Sequence, residues 1–326
     1  MASRYLPFPL PEGLRQQINL VSAAAQDRYV SKRLPECDIF VGHEAAGLLS
    51  GQAAKRRGIR YVCDHGCTHP EWREDILNAE YERAGIRRTS LPPFTIKREK
   101  EQYELADRIV VPSNFAKRSF VEKGIPERKM SVVPYGVNLS MFNPVGRPSE
   151  DRFDVLFVGG LSVRKGAFDL FRAFDQLAVA GKHLTIVGTI SEEVRANFSA
   201  ELSRDHVSVL GARPQAELRD IMSRSHVLVL PSLEEGLALV QAEAMACGCP
   251  IIATSHTGSE DLFTDGVEGY IIPIRSPDAI TEKLTLLASD RDRRDTLSKA
   301  AIAKVRSIGG WANYGDAMKA VYSSII

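Results

Sequence analysis

The sequence predicts an α/β protein of two domains, each built around a parallel β-sheet. The chain has 326 residues, whereas a single hydrophobic core usually stops growing at about 250 to 300 residues. From Asp154 onward, short runs rich in Val, Ile and Leu alternate with segments of helical periodicity. Runs that are apolar on both faces predict strands buried between two layers of helices, which is typical of a parallel sheet.

The second half of the chain carries the clearer alternation. Its predicted strands are DVLFVGG, HLTIVG, VSVLG, HVLVLPS and PIIATS. The helical patterns between them are AFDLFRAFDQLAV, EEVRANFSAEL, AELRDIMSRS and ALVQAEAMACG. The first half repeats the alternation less regularly, with predicted strands at CDIFVG, IRYVCD, DRIVVPS and MSVVPYG, and with helices near residues 43–57, 73–84, 95–105 and 114–123. It is therefore predicted to be a second, smaller domain of the same Rossmann-like kind.

The two predicted domains join near residue 147. Residues 138–152, NLSMFNPVGRPSEDR, show neither strand nor helix periodicity and contain the turn-forming residues Pro, Gly and Asn. We therefore expect domains at residues 1–147 and 148–326. Residues 311–326 carry Trp, Tyr and Met side chains at helical spacing, which predicts an amphipathic helix that packs on an apolar surface.

Composition excludes several classes of protein. Lys and Arg number 42 against 41 Asp and Glu, so the net charge of +1 provides no global field for nucleic acid or an anionic membrane. No run of about 18 apolar residues predicts a membrane span, and the N-terminus lacks the pattern of a signal peptide. The sequence therefore predicts a cytoplasmic protein that holds any anionic ligand locally.

The cysteines indicate neither disulfides nor a metal site. Five cysteines, an odd number in a long chain, indicate reduced thiols. Cys63, His65, Cys67 and His69 alternate along the chain, and both residue types bind zinc. Structural zinc sites usually separate two ligand pairs by a longer loop, so this spacing disfavours zinc. We therefore predict no metal site.

The loop after HVLVLPS is a candidate ligand site. The strand ends at Pro231 and a helix begins near Leu237 or Ala238, and the free N–H groups of a helix N-terminus favour a phosphate. Glu235 and Glu243 lie eight residues apart, up to about 12 Å along a helix. Each carboxylate can therefore accept paired hydrogen bonds from vicinal hydroxyls at one end of an extended ligand. Helix capping by Glu235 and solvent exposure of Glu243 are the alternative interpretation.

A second candidate loop lies in VLFVGGLSVRKGAFDLF. Gly160 follows the strand, and Arg164 and Lys165 precede a helix. The pattern matches neither GxGxxG nor a P-loop. A helix dipole contributes only about 0.3 to 1 kcal/mol, so the two cations would have to stabilise a departing diphosphate in the absence of a metal. A solvated surface pair is the alternative, but two such loops at the carboxyl ends of strands in one parallel sheet favour a ligand site.

These motifs resemble a known enzyme family. The segment PSLEEGLALVQAEAMACGCPIIAT resembles the E-x7-E signature of the retaining glycosyltransferase family 4, the group 1 glycosyltransferases. Further segments match the family in the same order: ADRIVVPSNFAKRSFVEKGIPERKMSVVPYGVNLSMFNP, FVGGLSVRKG, VLGARPQAELRDIMSRSHVLVLPS and TGSEDLFTDGVEGYIIP. The resemblance implies the GT-B fold, in which two Rossmann-like domains face each other and a C-terminal helix crosses back. It also implies retaining transfer of a sugar from a nucleoside diphosphate sugar to a hydroxyl acceptor, without a metal or other cofactor.

The resemblance also assigns roles to individual residues. It implies that Glu235 contacts the donor sugar, Glu243 the ribose, and Lys165 the diphosphate, with Arg164 supplying a second charge. The other implied donor-side positions are Gly160, Arg213 in the turn beside the base, Gly236, Leu237, Ala238 and Leu239.

The N-terminal half matches the family less closely. In DHGCTHPEWREDILNAEYERAG, His69 takes the place of a loop histidine that binds the transferred sugar or orients the acceptor. His65 and His43 compete for this role, and ordinary packing is a further alternative. Relative to the family, the sequence begins without the first strand and its Gly-rich loop. We therefore expect an N-terminal domain short by one βα unit. Either the native start lies upstream, or a partner chain or oligomer completes the sheet, or the protein has lost acceptor binding.

The implied substrates are a nucleotide-sugar donor and a glycan or lipid-linked acceptor, as in polysaccharide or glycolipid synthesis. Such acceptors allow peripheral contact with a membrane surface. Two alternatives remain open at this point. One is another GT-B enzyme, a sugar-nucleotide epimerase or a phosphorylase, and the other is an inactive nucleotide-sugar-binding or scaffolding subunit.

Overall fold

Two parallel β-sheets organise the chain. The computed structural model describes residues 12–326. Within these residues the first sheet has four strands and the second has six, and neighbouring strands pair in parallel. The predicted fold class of two Rossmann-like domains is therefore confirmed.

The N-terminal domain contains the smaller sheet. Its elements in chain order are α1 (Glu12–Ser31), β1 (Ile39–His43), α2 (Leu48–Arg56), β2 (Arg60–Asp64), α3 (Pro70–Arg83), α4 (Pro93–Leu105), β3 (Arg108–Val111), α5 (Asn114–Glu122) and β4 (Met130–Val132). The strands pair in the order β1-β2-β3-β4. Helix α1 was not predicted. Apolar side chains such as Val21 and Tyr29 are exposed on it, so its sequence has no clear apolar face. The helix expected from residue 43 begins only at Leu48, because Ala45 adopts a left-handed φ of 60°.

The C-terminal domain contains the larger sheet. Its elements are β5 (Phe153–Val158), α6 (Ala167–Gln176), β6 (Lys182–Val187), α7 (Glu192–Asn197), α8 (Ser199–Leu202), β7 (Val207–Gly211), α9 (Gln215–Ser223), β8 (Val227–Leu230), α10 (Leu239–Ala246), β9 (Ile251–Thr254), β10 (Gly269–Ile272), α11 (Pro277–Ser289), α12 (Arg291–Ile308) and α13 (Trp311–Ser323). The strand order is β10-β9-β8-β5-β6-β7. The helix expected over EEVRANFSAEL is divided into α7 and α8 at Phe198, whose φ is −129°.

Strand β5 lies at the centre of the larger sheet, between β8 and β6. Its residues Val155, Leu156 and Phe157 are fully buried, as are Val227, Leu228 and Val229 of β8. Side chains that alternate along a strand point to opposite faces of the sheet, so both faces of these strands are covered. This burial explains why the strands of this domain are continuous apolar runs in the sequence.

Helix α13 crosses back onto the N-terminal domain. Its Met318 is buried with Val62, Val110 and Val133 of the smaller sheet. Near its start, Trp311 and Tyr314 lie against the ring of Tyr135, with ring centroids 6.2 and 6.0 Å away. The amphipathic pattern predicted for the last segment therefore finds its apolar surface on the other domain.

Residues 12–326 include no helix with the length and apolar character needed to cross a membrane. The five cysteines are free thiols. Over the same range, no group of three His, Cys, Asp or Glu side chains has an arrangement that holds a metal ion.

Candidate functional site

The two candidate loops come together at the carboxyl ends of β5 and β8, which are paired neighbours in the sheet. Gly166 makes this approach possible. It has a φ of 75°, and a Cβ atom there would lie only 2.0 Å from the carbonyl oxygen of Pro231. Glycine is therefore required both by its backbone conformation and by close contact. The loop that carries Arg164 and Lys165 is held directly against the loop that carries Glu235.

Arg164, Lys165 and Glu235 form one charged cluster. The ammonium group of Lys165 contacts Glu235 Oε1, and Arg164 Nη1 lies 3.6 Å from Glu235 Oε2. Arg164 Nη1 also donates to the carbonyl oxygen of Glu234 at 2.8 Å. The pairing of Lys165 with Glu235, which spans 70 residues of sequence, brings together two of the residues predicted for the donor site.

Burial and the charge of Arg164 lower the pKa of Lys165. Contact with the carboxylate of Glu235 opposes this shift, because an adjacent negative charge stabilises the ammonium form. Glu234 also lies 3.4 Å from Arg164, so the two basic side chains face two carboxylates, those of Glu234 and Glu235. An anion bound here would share Arg164 and Lys165 with these carboxylates.

The loop before α10 presents backbone donors beside this cluster. Helix α10 begins at Leu239, and its N-cap residue Ala238 provides no capping side chain. The amides of Gly236, Leu237 and Leu239 donate to no other residue in the described part of the chain. Free N–H groups at a helix N-terminus form a binding site for a phosphate or a sugar hydroxyl.

Glu243 lies farther along α10. Its half-buried carboxylate accepts no hydrogen bond from residues 12–326, and burial raises its pKa. Gly160 follows β5 and is exposed; a Cβ atom there would lie 3.2 Å from Thr189 Oγ1. Both positions are compatible with contact to a ligand that extends from the Lys165–Glu235 cluster.

Arg213 is not brought into this cluster. It lies in the turn between β7 and α9, where its Nη1 is 3.5 Å from Glu217 Oε2. Strand β7 is the outermost strand on one side of the sheet, two positions from β5. The side chain is exposed, so any contact between Arg213 and a ligand would be made at the rim of the cleft.

His69 lies in the interior of the N-terminal domain, between α4 and α5. It is fully buried, and its Nδ1 accepts a hydrogen bond from Glu71 N at 3.3 Å as the N-cap of α3. Its ring packs against Phe120 and Tyr103, with centroids 5.2 and 5.6 Å away. Burial lowers its pKa to about 4, so His69 is neutral at pH 7. No described hydrogen bond or ion pair connects it to Glu235.

The loop between β2 and α3 touches the loop before α10. A Cβ atom on Gly236 would lie only 1.9 Å from the carbonyl oxygen of Gly66. Ser113 Oγ donates to the carbonyl oxygen of Gly236 at 2.5 Å. Gly236 is therefore required by the close approach of the other domain.

Sequence reasoning missed the residue that joins the two sides. Glu234 is fully buried and accepts hydrogen bonds from Thr68 N and Thr68 Oγ1 at 3.2 and 2.7 Å. Its other oxygen lies 3.4 Å from Arg164 Nη1. Burial alone would raise its pKa, but Arg164 and Arg73 hold the pKa below its ordinary value. The adjacent Glu234 and Glu235 were visible in the sequence, but only the fold shows that both approach Arg164 and that Glu234 also reaches Thr68.

Two basic side chains, free backbone donors and a paired carboxylate, at the carboxyl ends of parallel strands, are typical of α/β proteins that bind an anionic, hydroxyl-bearing ligand. Residues 142–304 match the sequence model of the family described as "Glycosyl transferases group 1", and residues 3–141 match "Glycosyltransferase Family 4". The chain belongs to the group 1 glycosyltransferases, as its motifs predicted.

Curated relatives of this chain have sequence identities of 27% and 31% over the aligned residues. It is 31% identical over 262 residues to D-inositol 3-phosphate glycosyltransferase 1 of Catenulispora acidiphila, covering 73% of this chain and 62% of that protein. It is 27% identical over 272 residues to D-inositol 3-phosphate glycosyltransferase of Kribbella flavida, covering 73% and 63%. The chain spans about three fifths of the length of these relatives.

Solved structures share the fold at lower identity. Sucrose-phosphate synthase from Thermosynechococcus elongatus superposes with a TM-score of 0.77 at 21% identity, over 97% of this chain and 80% of that one. The Anabaena protein HepE, in complex with UDP-glucose, superposes with a TM-score of 0.72 at 17% identity, over 93% and 82%. These similarities show the GT-B fold, as predicted.

Proposed function

We propose that this protein is a retaining, metal-independent glycosyltransferase that moves a sugar from a nucleoside diphosphate sugar to a hydroxyl acceptor. The observation that carries the proposal is the cluster of Arg164, Lys165 and Glu235 beside the free amides of Gly236 and Leu237. A diphosphate and a sugar hydroxyl are the two groups that this combination of cations, N–H donors and carboxylate recognises.

The donor binds with its diphosphate beside Lys165 and Arg164. Its sugar lies against Glu235 and the loop of Gly236, Leu237, Ala238 and Leu239. The charge of Lys165 is then shared between Glu235 and the phosphate. Glu243 contacts the ribose, and Arg213 and Gly160 lie at the nucleotide end. The UDP-glucose complex of HepE supports testing that donor first, and the names of the curated relatives support testing a cyclitol phosphate among the acceptors.

In the transfer step, the bond between the anomeric carbon and the phosphate oxygen breaks, and the acceptor oxygen bonds to the same face of that carbon. The acceptor proton passes to the departing phosphate oxygen. Lys165, Arg164 and the α10 amides stabilise the negative charge that develops on the diphosphate. Removing one such preorganised donor typically lowers the rate about 100- to 1000-fold.

Arg164 and Lys165 are the basic side chains beside the proposed diphosphate position, and we propose that they act there without a metal. His69 is proposed as an indirect contributor, because it is buried and neutral and lies behind the loop that meets Gly236. A cytoplasmic location and a glycan or lipid-linked acceptor at a membrane surface remain part of the proposal.

Donor binding is tested by thermal shift with UDP-, GDP- and ADP-sugars, since a ligand at 100 times its dissociation constant stabilises a protein by about 2.7 kcal/mol. Transfer is then tested by release of the nucleoside diphosphate in the presence of acceptors. The anomeric configuration of the product is read by NMR. Inversion would refute the retaining mechanism, and an isomerised donor without acceptor would indicate an epimerase. Donor binding without turnover on any acceptor would indicate a binding or scaffolding subunit.

A further inference from the structure

A carboxylate faces the cleft from the opposite domain. Glu44 follows β1, and its side chain is 37% exposed. One oxygen, Oε2, is buried and lies 3.1 Å from Nε2 of His65. The other oxygen, Oε1, accepts no hydrogen bond from a residue in the described range. The accessible part of the carboxylate is therefore Oε1, which is available to a ligand in the cleft.

His65 holds Glu44 in place. It is fully buried, and its Nδ1 lies 3.0 Å from the carbonyl oxygen of Cys67. Nε2 lies 3.5 Å from Glu99 Oε2 as well as near Glu44. Burial alone would lower the pKa of His65, but Glu44 and Glu99 raise it above its ordinary value. The contact with His65 Nε2 at 3.1 Å orients the carboxylate of Glu44.

Glu44 Oε2 and His65 Nε2 lie close together but form no normal hydrogen bond. Neither Glu44 Oε2 nor His65 Nε2 makes a hydrogen bond of normal geometry with the described chain, although both atoms are buried. Buried polar groups are otherwise almost always paired. Both atoms are buried beyond the reach of a ligand, so the atom that a ligand meets is Oε1, to which a hydroxyl group can donate.

Two side chains, Gln102 and Arg98, hold the loop that carries Glu44. Gln102 Nε2 donates to the carbonyl oxygen of His43 at 2.9 Å. Arg98 Nε donates to the carbonyl oxygen of Ala45 at 3.2 Å and pairs with the buried Asp27. The left-handed φ of 60° at Ala45 is unfavourable for an alanine. These contacts maintain a strained conformation that presents Glu44 toward the cleft.

Glu44 lies on the wall that meets the donor loop. His65 is followed by Gly66, whose carbonyl oxygen approaches Gly236. On the same wall, Asp64 ends β2, and its Oδ2 lies 3.9 Å from Nδ1 of the exposed His43. A Cβ atom on Gly66 would lie 3.1 Å from the hydroxyl of Tyr135. The wall opposite the donor site thus combines two carboxylates with a histidine and a tyrosine.

Arg73 is a basic side chain near the carboxylates of this wall. Arg73 lies behind the wall, where the charges of Cys67, Glu234, Glu99 and Glu44 raise its pKa against the effect of burial. Its positive charge therefore offsets part of the negative charge of Glu44 and Glu99. Arg98, the other arginine near the loop, is paired with Asp27.

We propose that Glu44 binds the acceptor, and that the part of the acceptor lying against Glu44 and Asp64 is an uncharged polyol, namely a sugar or cyclitol that carries free vicinal hydroxyls and no phosphate there. This inference rests on the proposed function. It distinguishes the protein from an enzyme that recognises a phosphorylated cyclitol at this position. A phosphate placed against two carboxylates is repelled, whereas vicinal hydroxyls donate to them. His65 and Glu99 are positioning residues for Glu44.

The test measures binding by isothermal titration to the wild-type chain in the presence of UDP. The probes are D-glucose, D-galactose and myo-inositol, each compared with its phosphate ester. We expect at least one neutral probe to bind, and its phosphate ester to bind at least tenfold more weakly. Glu44→Gln should weaken the neutral probe about 10- to 100-fold, as expected for loss of a hydrogen bond to a charged group. Glu71→Gln is the matched control, because Glu71 is 35% exposed and paired with Lys100 outside the cleft.

Three results would overturn the inference: no neutral probe binds, a phosphate ester binds more tightly than its parent, or Glu44→Gln leaves the dissociation constant unchanged. His65→Asn should raise the KM for the acceptor while the dissociation constant for UDP stays constant, whereas a general loss of folding would change both. Binding of UDP, GDP and ADP is measured separately. Failure to bind any of them counts against the proposed function and is therefore distinguishable from failure of the acceptor inference.

Discussion

Lys165 provides the sharpest test of the donor site, because its ammonium group contacts Glu235 and lies beside Arg164 at the proposed diphosphate position. Replacing it with alanine removes one of the two cations. The loss of one preorganised donor corresponds to about 2.7 to 4 kcal/mol of transition-state stabilisation, or about 100- to 1000-fold in kcat. We therefore expect Lys165→Ala to lower kcat for nucleoside diphosphate release by that factor.

The effect on stability should be smaller than the effect on rate. Removing one partner of a fully buried ion pair costs about 3 to 5 kcal/mol, but Arg164 remains 3.6 Å from Glu235 and can take over as its partner. We expect the free energy of unfolding to fall by no more than about 2 kcal/mol, which is within the usual range for single substitutions.

The control for Lys165 is a second lysine–carboxylate pair outside the cleft. Lys55 Nζ lies 2.7 Å from Asp107 Oδ1, and the two side chains are 33% and 21% exposed. Lys55→Ala should reduce stability without changing transfer. Rates are measured by coupled detection of the released diphosphate, and stability by urea unfolding. A Lys165→Ala variant that keeps kcat within threefold of the wild type would refute the assignment of Lys165 to the departing diphosphate.

Four further predictions follow from the contacts between the domains and from the titratable groups. Gly236→Ala introduces a Cβ atom 1.9 Å from Gly66 O, so the domains should separate, with a larger radius of gyration in X-ray scattering and loss of transfer. The control is Gly315→Ala, where a Cβ atom meets nothing within 4 Å. It should change neither the radius of gyration nor the rate of transfer. Glu234→Ala leaves Thr68 and Arg164 without their shared partner and should lower the free energy of unfolding by about 2 to 4 kcal/mol in urea titrations; an unchanged midpoint would argue against the bridge. The pKa of His69 falls from 6.5 in the unfolded chain to about 4 in the folded protein. Its titration therefore does not affect stability above pH 6.5 and lowers stability increasingly as the pH falls toward 4. The wild type should therefore be about 2 kcal/mol less stable at pH 5 than at pH 7.5 from this group alone, and His69→Phe should reduce that difference; an identical pH dependence in the variant would contradict the buried neutral assignment. Chelation with EDTA should leave transfer unchanged, and recovery of lost activity by Mg²⁺ or Mn²⁺ would contradict the metal-independent proposal.

The fold was largely predictable because its strands are buried on both faces. Residues such as Val155–Phe157 read as continuous apolar runs, and such runs separated by helical periods permit few arrangements other than a parallel sheet. Helix α1 escaped prediction because apolar side chains such as Val21 and Tyr29 remain exposed on it. The start of α2 was misplaced because a left-handed residue, Ala45, interrupts a sequence that otherwise looks helical.

Within the candidate site, the residues of the two loops could be predicted from the sequence, since Gly166, Arg164, Lys165 and Glu235 each lie next to the end of a predicted strand or the start of a helix. Which of these residues meet could be seen only in the folded chain. The Lys165–Glu235 pair, the Thr68–Glu234 bridge and the contact of Gly66 with Gly236 join residues 70, 166 and 170 positions apart. Such contacts depend on the packing of two domains against each other, and local periodicity carries no information about that packing. For the same reason the burial of His69 and the partial exposure of Glu44 were not visible in the sequence.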